Sequence, residues 1–344
     1  MGNIRIVIGK NEELPLKHRE KLFILKKAYD SERLPFEPPK IEFYKNLLNL
    51  PKLTERDTLQ LFVFDNNDEL IGFGYSGWNI KYDNFHRAFA QVFIEPPKRR
   101  RGYGTQILLK LVNNLPNQIN TASFSAKEGS AGEAFLKSFK NESSFAEIIN
   151  AADLSEFNLE EIKEIVQNEE KRLDKLGYKF VALEGLDYIE KFNEVDYVRM
   201  VERIWNDMPR EELSFGEDVI PIERYKAMVE HTLKKGDRNF GYAIALKETN
   251  EPVGHTRVLY NKFDLDTVEQ DDTGVVLEHR GKGFGLALKY KILEQILTEI
   301  NAKYWFTGNA GSNEHMIRIN EKLKHKIVSK IVIYELKREE WELI

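Results

Sequence analysis

The chain has 344 residues, 42% of them hydrophobic and 31% charged, which is enough apolar material for two cores and too much for a disordered chain. Its 56 acids against 51 bases give a net charge of −5, which excludes a globally basic nucleic-acid binder and leaves only local basic patches. There is no cysteine, so a disulfide scaffold, a thiolate zinc site, an iron–sulfur cluster and a cysteine nucleophile are all excluded.

No segment reaches the roughly 18 uncharged apolar residues of a membrane span. The opening MGNIRIVIGK has no apolar core of signal-peptide length. A cytoplasmic protein with no membrane partner is expected.

Taken in order, the chain predicts a strand over 4–8, helices over 17–31 and 41–48, and strands over 59–64, 70–77 and 87–94. A basic glycine loop follows, then a helix over 103–115, a short strand over 121–125 and a helix over 132–139. From Asn158, the charged stretch NLEEIKEIVQNEEKRLDKLGYKF is helix-periodic. Its apolar stripe is Ile162, Ile165, Val166, Leu173 and Leu176, and Gly177 is placed as its C-cap. Beyond it the pattern predicts a strand over 178–183, helices over 197–206 and 222–233, and strands over 240–246, 253–260 and 267–277. A helix over 284–300, a strand over 304–307, a helix over 313–323 and a strand over 327–336 complete it. Hairpins followed by strand–helix alternation predict an α/β fold, a mixed sheet with helices on its faces.

The two halves repeat. LFVFDNNDELIGFGYSG from Leu61 resembles YAIALKETNEPVGHTRV from Tyr242, with Gly72 matching Gly254 at an offset of 182. Further on, Arg99, Gly102 and Gly104 match Arg280, Gly283 and Gly285, each at 181. A near-constant offset across separated features points to a duplicated α/β unit. The expected domains are 1–155 and 177–344, with 156–176 as a connecting helix.

The chemistry sits in the turn after the long strand of each copy. Copy one reads Ile94-Glu95-Pro96-Pro97-Lys98-Arg99-Arg100-Arg101-Gly102-Tyr103-Gly104-Thr105; copy two reads Val275-Val276-Leu277-Glu278-His279-Arg280-Gly281-Lys282-Gly283-Phe284-Gly285. Each is a strand, a basic glycine loop and an amphipathic helix. The first turn of a helix exposes backbone N–H groups and a partial positive charge. Glycine lets an anion approach that backbone, and Arg and Lys add charge-assisted contacts, so the whole forms a phosphate cradle. The alternative is a basic surface turn or, for Lys98–Arg101, a nucleic-acid patch. The literal G-x-G-x-x-G at Gly72–Gly77 continues into a strand-like stretch instead of opening a helix, so it is not a dinucleotide fingerprint.

The pattern [Val/Ile]-x-P-x-x-Arg-x-x-Gly-x-Gly resembles motif A of the GNAT acetyltransferases. Copy one fits throughout, and copy two departs only at Leu277, where the family has Pro. Copy two also has Thr273-Gly274-Val275 and an Asn309, Asn313, Met316, Asn320 run, similar to one GNAT subset. The chain is thus similar to tandem GNAT proteins in the manner of mycothiol synthase-like enzymes: two GNAT domains, each a mixed, mostly antiparallel sheet flanked by helices.

The resemblance implies an N-acetyltransferase that binds acetyl-CoA. The pyrophosphate would lie on Arg99, Arg100, Arg101, Gly102, Tyr103, Gly104 and Thr105 in copy one, and on Arg280, Gly281, Lys282, Gly283, Phe284 and Gly285 in copy two. Ile94, or Val275, Val276 and Leu277, would face the thioester, and Asn309 and Asn313 would position the cofactor arm or the substrate. Direct transfer to an amine agrees with the absence of cysteine.

A free alkyl amine has a pKa near ~10, so a base helps at neutral pH. The family's strand carboxylate corresponds to Glu269, with Asp271 next on that face by a period of two. Copy one has Ala88 and Ala90 there, which makes the C-terminal half the expected catalytic one and the N-terminal half structural or cofactor-binding. The alternative is that Glu269 and Asp271 belong to a solvated acidic cluster. The family's general acid falls at Asn320, whose amide is a poor acid; Tyr304, His315 and solvent are the alternatives. The family's Leu-Gly-Phe becomes Leu323-Lys324-His325. His255 faces either the cleft or the core, and Trp205 lines either a pocket or the core. The expected partner is a small-molecule amine, with no nucleic acid and no metal, for a monomer or homodimer. The competing reading is a non-catalytic acyl-CoA-binding protein.

Overall fold

The computed structural model describes residues 4–341. In chain order the elements are β1 (Arg5–Ile8), α1 (Leu16–Arg33), α2 (Ile41–Asn49), β2 (Arg56–Phe64), β3 (Leu70–Asn79), β4 (Arg87–Ile94), α3 (Tyr103–Val112), β5 (Thr121–Lys127), α4 (Ala131–Lys137) and β6 (Phe145–Asp153). Then come α5 (Leu159–Lys175), β7 (Tyr178–Glu184), α6 (Tyr188–Lys191), α7 (Glu194–Asn206), α8 (Ile222–Lys235), β8 (Asp237–Leu246), β9 (Pro252–Asn261) and β10 (Thr267–Val275). The series ends with α9 (Phe284–Glu299), β11 (Tyr304–Ala310), α10 (Glu314–Lys322), β12 (Lys326–Lys337) and α11 (Arg338–Trp341). Among the described residues no helix is long and apolar enough to cross a membrane.

Two compact units emerge. Unit one holds residues 1–148 together with 210–217 and 329–344; unit two holds 149–209 and 218–328. α5, expected as a connector, therefore lies within unit two, packed on α9. Asn158 caps its start by accepting from the N–H groups of Glu160 and Glu161, and Gly177 follows its end at φ 84°. Ile162, Val166 and Leu173 are buried, but Leu176, just past the last turn, is half exposed.

Within unit one the strand order is β1-β2-β3-β4-β5-β12. Every pairing is antiparallel except β4 with β5. Unit two runs β6-β11-β10-β9-β8-β7; there β10 pairs in parallel with β11, and β7 to β10 pair antiparallel. Each sheet is thus mixed and mostly antiparallel. Ile107, Leu108, Leu111 and Val112 bury one face of α3, and Leu288, Ile292, Leu293 and Ile296 do the same for α9. The G-x-G-x-x-G stretch is entirely inside β3.

Gly72 and Gly254 occupy the same place. Each lies opposite the last residue of the next strand, Ile94 or Val275. A Cβ on Gly72 would sit 2.4 Å from the Phe93 carbonyl oxygen; one on Gly254 would sit 2.7 Å from that of Gly274. The change of offset from 182 to 181 also has a cause. The β9–β10 loop is two residues shorter than the β3–β4 loop, and β10 contains a bulge, with Asp271 as its extra residue.

Candidate functional site

Each motif loop begins with a single helical turn, Pro96–Lys98 in unit one and Leu277–His279 in unit two. Leu277 replaces proline without altering it: Arg99 N donates to Pro96 O and Arg280 N to Leu277 O, both at 3.2 Å. Gly102 and Gly283 then cap α3 and α9 at φ 76° and 74°. The first intrahelical bonds are Gln106 N to Gly102 O and Ala287 N to Gly283 O, so the preceding amides point out of the helix end. One matched position differs. Arg100 takes a left-handed conformation at φ 61°, where unit two has Gly281 at φ 78°.

The side chains of Arg99 and Arg280 are each held by a strand carbonyl and a carboxylate. Arg99 Nε donates to Ile94 O at 2.7 Å and its guanidinium pairs with Glu32 at 2.6 Å. Arg280 Nε donates to Val275 O at 2.8 Å and pairs with Asp207 at 2.6 Å. Arg99 ties the end of β4 to α1, and Arg280 ties the end of β10 to Asp207, just past α7. Arg100 and Arg101 are exposed. Lys282 donates to Tyr178 Oη at 3.1 Å, and Arg172 donates to Lys282 O at 2.8 Å.

β4 and β5 pair only from Arg87↔Thr121 to Ala90↔Phe124, then diverge. A cleft of about 300 Å³ opens at that divergence. It is lined by Gln91–Ile94 of β4, by Arg99, Arg100 and Gly102–Thr105 of the motif, by 124–127 of β5, by α4, and by Tyr29, Glu32 and Arg33 of α1. Arg101 is not among the lining residues. A Cβ on Gly104 would come 3.1 Å from the Phe135 ring, so glycine keeps that wall thin. No carboxylate of β4 faces this cleft, and Glu32 is held by Arg99.

Unit two diverges likewise, after Glu269↔Phe306. Its candidate base differs from expectation. The bulge breaks the period of two: Gln270, Thr273 and Val275 share one face of the sheet, while Glu269 and Asp272 lie on the other with Arg257 and His255. Glu269 is therefore opposite in face to Val275, and its counterpart in unit one is Phe89 rather than Ala88. Asp271 is the extra residue, at the divergence. Asp271 is solvent-exposed as a residue, yet packing around its carboxyl, then the carboxylates of Asp272 and Glu269, push it up to about 7.

Behind it is a buried network that sequence reasoning missed. His255 is fully buried, with Nδ1 3.0 Å from Tyr197 Oη and Nε2 3.0 Å from Asp272 Oδ2. Trp205 Nε1 donates to Asp272 Oδ2 at 2.9 Å, and Arg257 Nη2 donates to Gly185 O at 2.8 Å. Burial opposes the imidazolium, but Asp272 and Tyr197 outweigh it and raise His255 to about 9. Burial likewise opposes the Asp272 carboxylate, yet His255 and Trp205 hold its pKa below the usual range. The signal was available: His255 and Arg257 alternate on a strand whose flanking residues are apolar.

The asparagine run is structural in its contacts. Asn313 caps α10 by accepting from Met316 N at 3.2 Å. Asn320 is buried, donates to Asn309 Oδ1 at 2.6 Å and accepts from Lys289 Nζ at 2.8 Å. Lys289 is fully buried and is lowered by burial to about 7. Nearby His325, buried against Trp305, is pushed down to about 3, by burial first. Lys289 lies on the apolar stripe of α9, which marked it from sequence. Val275, Val276 and Phe284 pack in the core, Gly285 backs onto Ile319, and Leu277, Tyr304 and His315 are exposed.

Residues 24–128 match the model of the acetyltransferase (GNAT) family. A search of curated protein sequences finds no match. Among solved structures, the fold is similar to a tandem GNAT protein from the clavulanic acid biosynthesis pathway, with a TM-score of 0.75 and 17% identity over 97% of this chain and 98% of that one. It is also similar to a GCN5-related N-acetyltransferase from Sphaerobacter thermophilus, with a TM-score of 0.60 and 12% identity over 97% and 95%. The glucosamine N-acetyltransferase region of a fungal multi-domain β-N-acetylglucosaminidase gives 0.65 and 10% identity over 98% of this chain and 38% of that one.

Proposed function

From a chain with a GNAT acetyltransferase domain in residues 24–128 and the tandem GNAT fold over nearly all its length, we propose an acyl-CoA-dependent N-acyltransferase that modifies a small-molecule amine and whose acyl-CoA site is the cleft of unit one. The observation that carries this is the cleft itself, opened by the divergence of β4 from β5 and bounded by the motif loop. The residues fit the group. Outward-pointing amides at the start of α3 suit an anion, with Arg100 and Arg101 beside them. Small and apolar side chains of α4 suit a pantetheine arm, and the thin wall at Gly104 leaves it room. Acetyl-CoA is the expected donor; bound there, it supplies the acyl group as a thioester.

The chain's own residues do the rest. β4 backbone N–H groups beyond Ala90 no longer pair with β5 and are placed to hold a carbonyl oxygen. The Arg99 clamp fixes the end of β4 against α1, and Arg33 donates to Ser125 Oγ at 3.0 Å at the mouth. The amine nitrogen forms the new C–N bond as the C–S bond breaks, and the proton it loses balances the one gained by the released thiol.

Asp271 supports a second reading, with unit two as the catalytic half. A pKa near 7 suits a general base at neutral pH, and unit one has no such group on β4. Thiol release from acetyl-CoA over an amine panel separates the two. With unit one catalytic, Gly104→Leu, which drives a side chain into Phe135, cuts turnover at least 100-fold and Asp271→Asn leaves it within 3-fold. With unit two catalytic the order reverses, and the rise of rate with pH through about 7 disappears in Asp271→Asn. Acetyl-CoA binding without release from any amine would establish the binding-protein reading instead.

A further inference from the structure

Unit one has a second cavity, of about 310 Å³, which shares Phe124 and Ser125 with the cleft. It lies on the α1 face of β2 to β5. That volume is at the low end for small-molecule sites, roughly 300–1,000 Å³. Part of its wall comes from segment 210–217, which belongs to unit one although it falls between α7 and α8 in sequence. Ser214 N donates to Glu335 Oε2 at 3.0 Å, Gly216 N donates to Asn84 Oδ1 at 2.8 Å, and His86 Nε2 stands 2.6 Å from Ser214 O. Phe215 packs its ring 3.3 Å from the Arg87 guanidinium. These contacts hold Leu213 and Phe215 as a fixed wall.

The lining holds two arginines and no acid. The charge of Arg87 is met by buried Glu335 at 2.7 Å. Arg56, exposed at the far end, forms no ion pair among the described residues. One uncompensated cation at one end, and the junction with the cleft at Ser125 at the other, define a polarity for the occupant.

We infer that this cavity is the acceptor site and that the acceptor is a small amine bearing a carboxylate, the carboxylate held by Arg56 and the amine directed to Ser125. The inference rests on the reading of unit one as the acyl-CoA site. It explains why the wall is built from residues of the second half of the chain: the acceptor pocket of unit one is complete only once that segment has folded onto it.

The test measures binding, without acyl-CoA, to the full chain. Amino acids and their matching carboxamides are compared by equilibrium dialysis. We expect carboxylates to bind at least 10-fold tighter than their carboxamides. Arg56→Met, a change at an exposed position, should abolish that discrimination, and Phe215→Ala should weaken both classes. Equal binding of acids and amides, no binding of either, or discrimination that survives Arg56→Met overturns the proposal. A phosphomonoester amine that binds while every carboxylate fails overturns the carboxylate assignment. If acids bind as expected but no thiol is ever released in their presence, the acyl-transfer reading fails and the anion pocket stands.

Discussion

The α1 face of unit one and the α7 face of unit two are the same surface of the same fold, built from opposite materials. In unit one it is aromatic: Phe73 and Phe93 stack with centroids 5.7 Å apart, Tyr29 meets both edge-on, and Lys26 lies 4.0 Å over Phe73. In unit two the registers place His255 where Phe73 stands, Asp272 where Gln91 stands and Gly274 where Phe93 stands. The missing ring at Gly274 is filled by Ile204, so close that a Cβ there would sit 2.2 Å from it. An aromatic cluster is held by burial and ring contacts spread over its members, and it tolerates change in one of them. A buried ion pair is all or nothing: each charge is stable only while its partner is present.

That contrast can be broken first at Asp272. Asp272→Leu strands His255 and Arg257 in the core and should cost about 3–5 kcal/mol of unit-two stability by urea denaturation, whereas the matched Gln91→Leu, which removes the acceptor of the Lys26 Nζ bond at 3.1 Å, should cost about 1–2 kcal/mol. Equal losses would mean that the two faces are energetically alike. The second probe is pH. His255 has an ordinary pKa of 6.5 and is raised to about 9 in the fold, so its contribution is fully present below about 6.5 and is lost as pH rises through about 9. Lys289, lowered to about 7 by burial, raises stability over the same range, so the His255 term is read as the difference between the wild type and Asp272→Asn: the wild type's advantage should fall by roughly 3 kcal/mol over that interval.

Two smaller effects sharpen what the units share. Gly72→Ala and Gly254→Ala should each cost more than about 2 kcal/mol, because each methyl meets a backbone carbonyl on the next strand; a mild effect in one alone would show that its strand can shift. Arg100→Gly should raise the stability of unit one by ~1 kcal/mol by relieving a left-handed arginine, and Gly281→Ala should lower that of unit two by a similar amount. Thermal midpoints read both.

The repeat, the motif loops and most elements were legible because they rest on local periodicity and on glycines with a steric reason to be there. Strand β4 is predicted end to end, and Gly102 and Gly283 cap their helices as the motif requires. Glu269 lies on the face opposite the one its spacing predicts. A bulge changes which side chains share a face, and nothing in Glu269-Gln270-Asp271-Asp272 announces it; it appears only when β10 is paired with β9. β6 went unread because its Phe145–Asp153 stretch has no clear alternation, and segment 210–217 because its place is set by Glu335 and His86, both far away in sequence. The bonds of Arg99 to Ile94 O and Glu32, and of Arg280 to Val275 O and Asp207, could not be read from the basic loop, because their partners lie on other elements.

β12 has a temporal consequence. Its residues 331–337 pair with β5, and 329–344 belong to unit one. A ribosome that has made unit one up to Ile148 must add about 180 more residues before that strand exists, roughly 10–40 s at ordinary elongation rates. For that interval β5 presents an unpaired edge, open to other nascent chains. The first unit to be synthesised is therefore the last to be sealed, and a premature stop before Ser329 should leave soluble yield lower than the loss of sixteen residues would suggest.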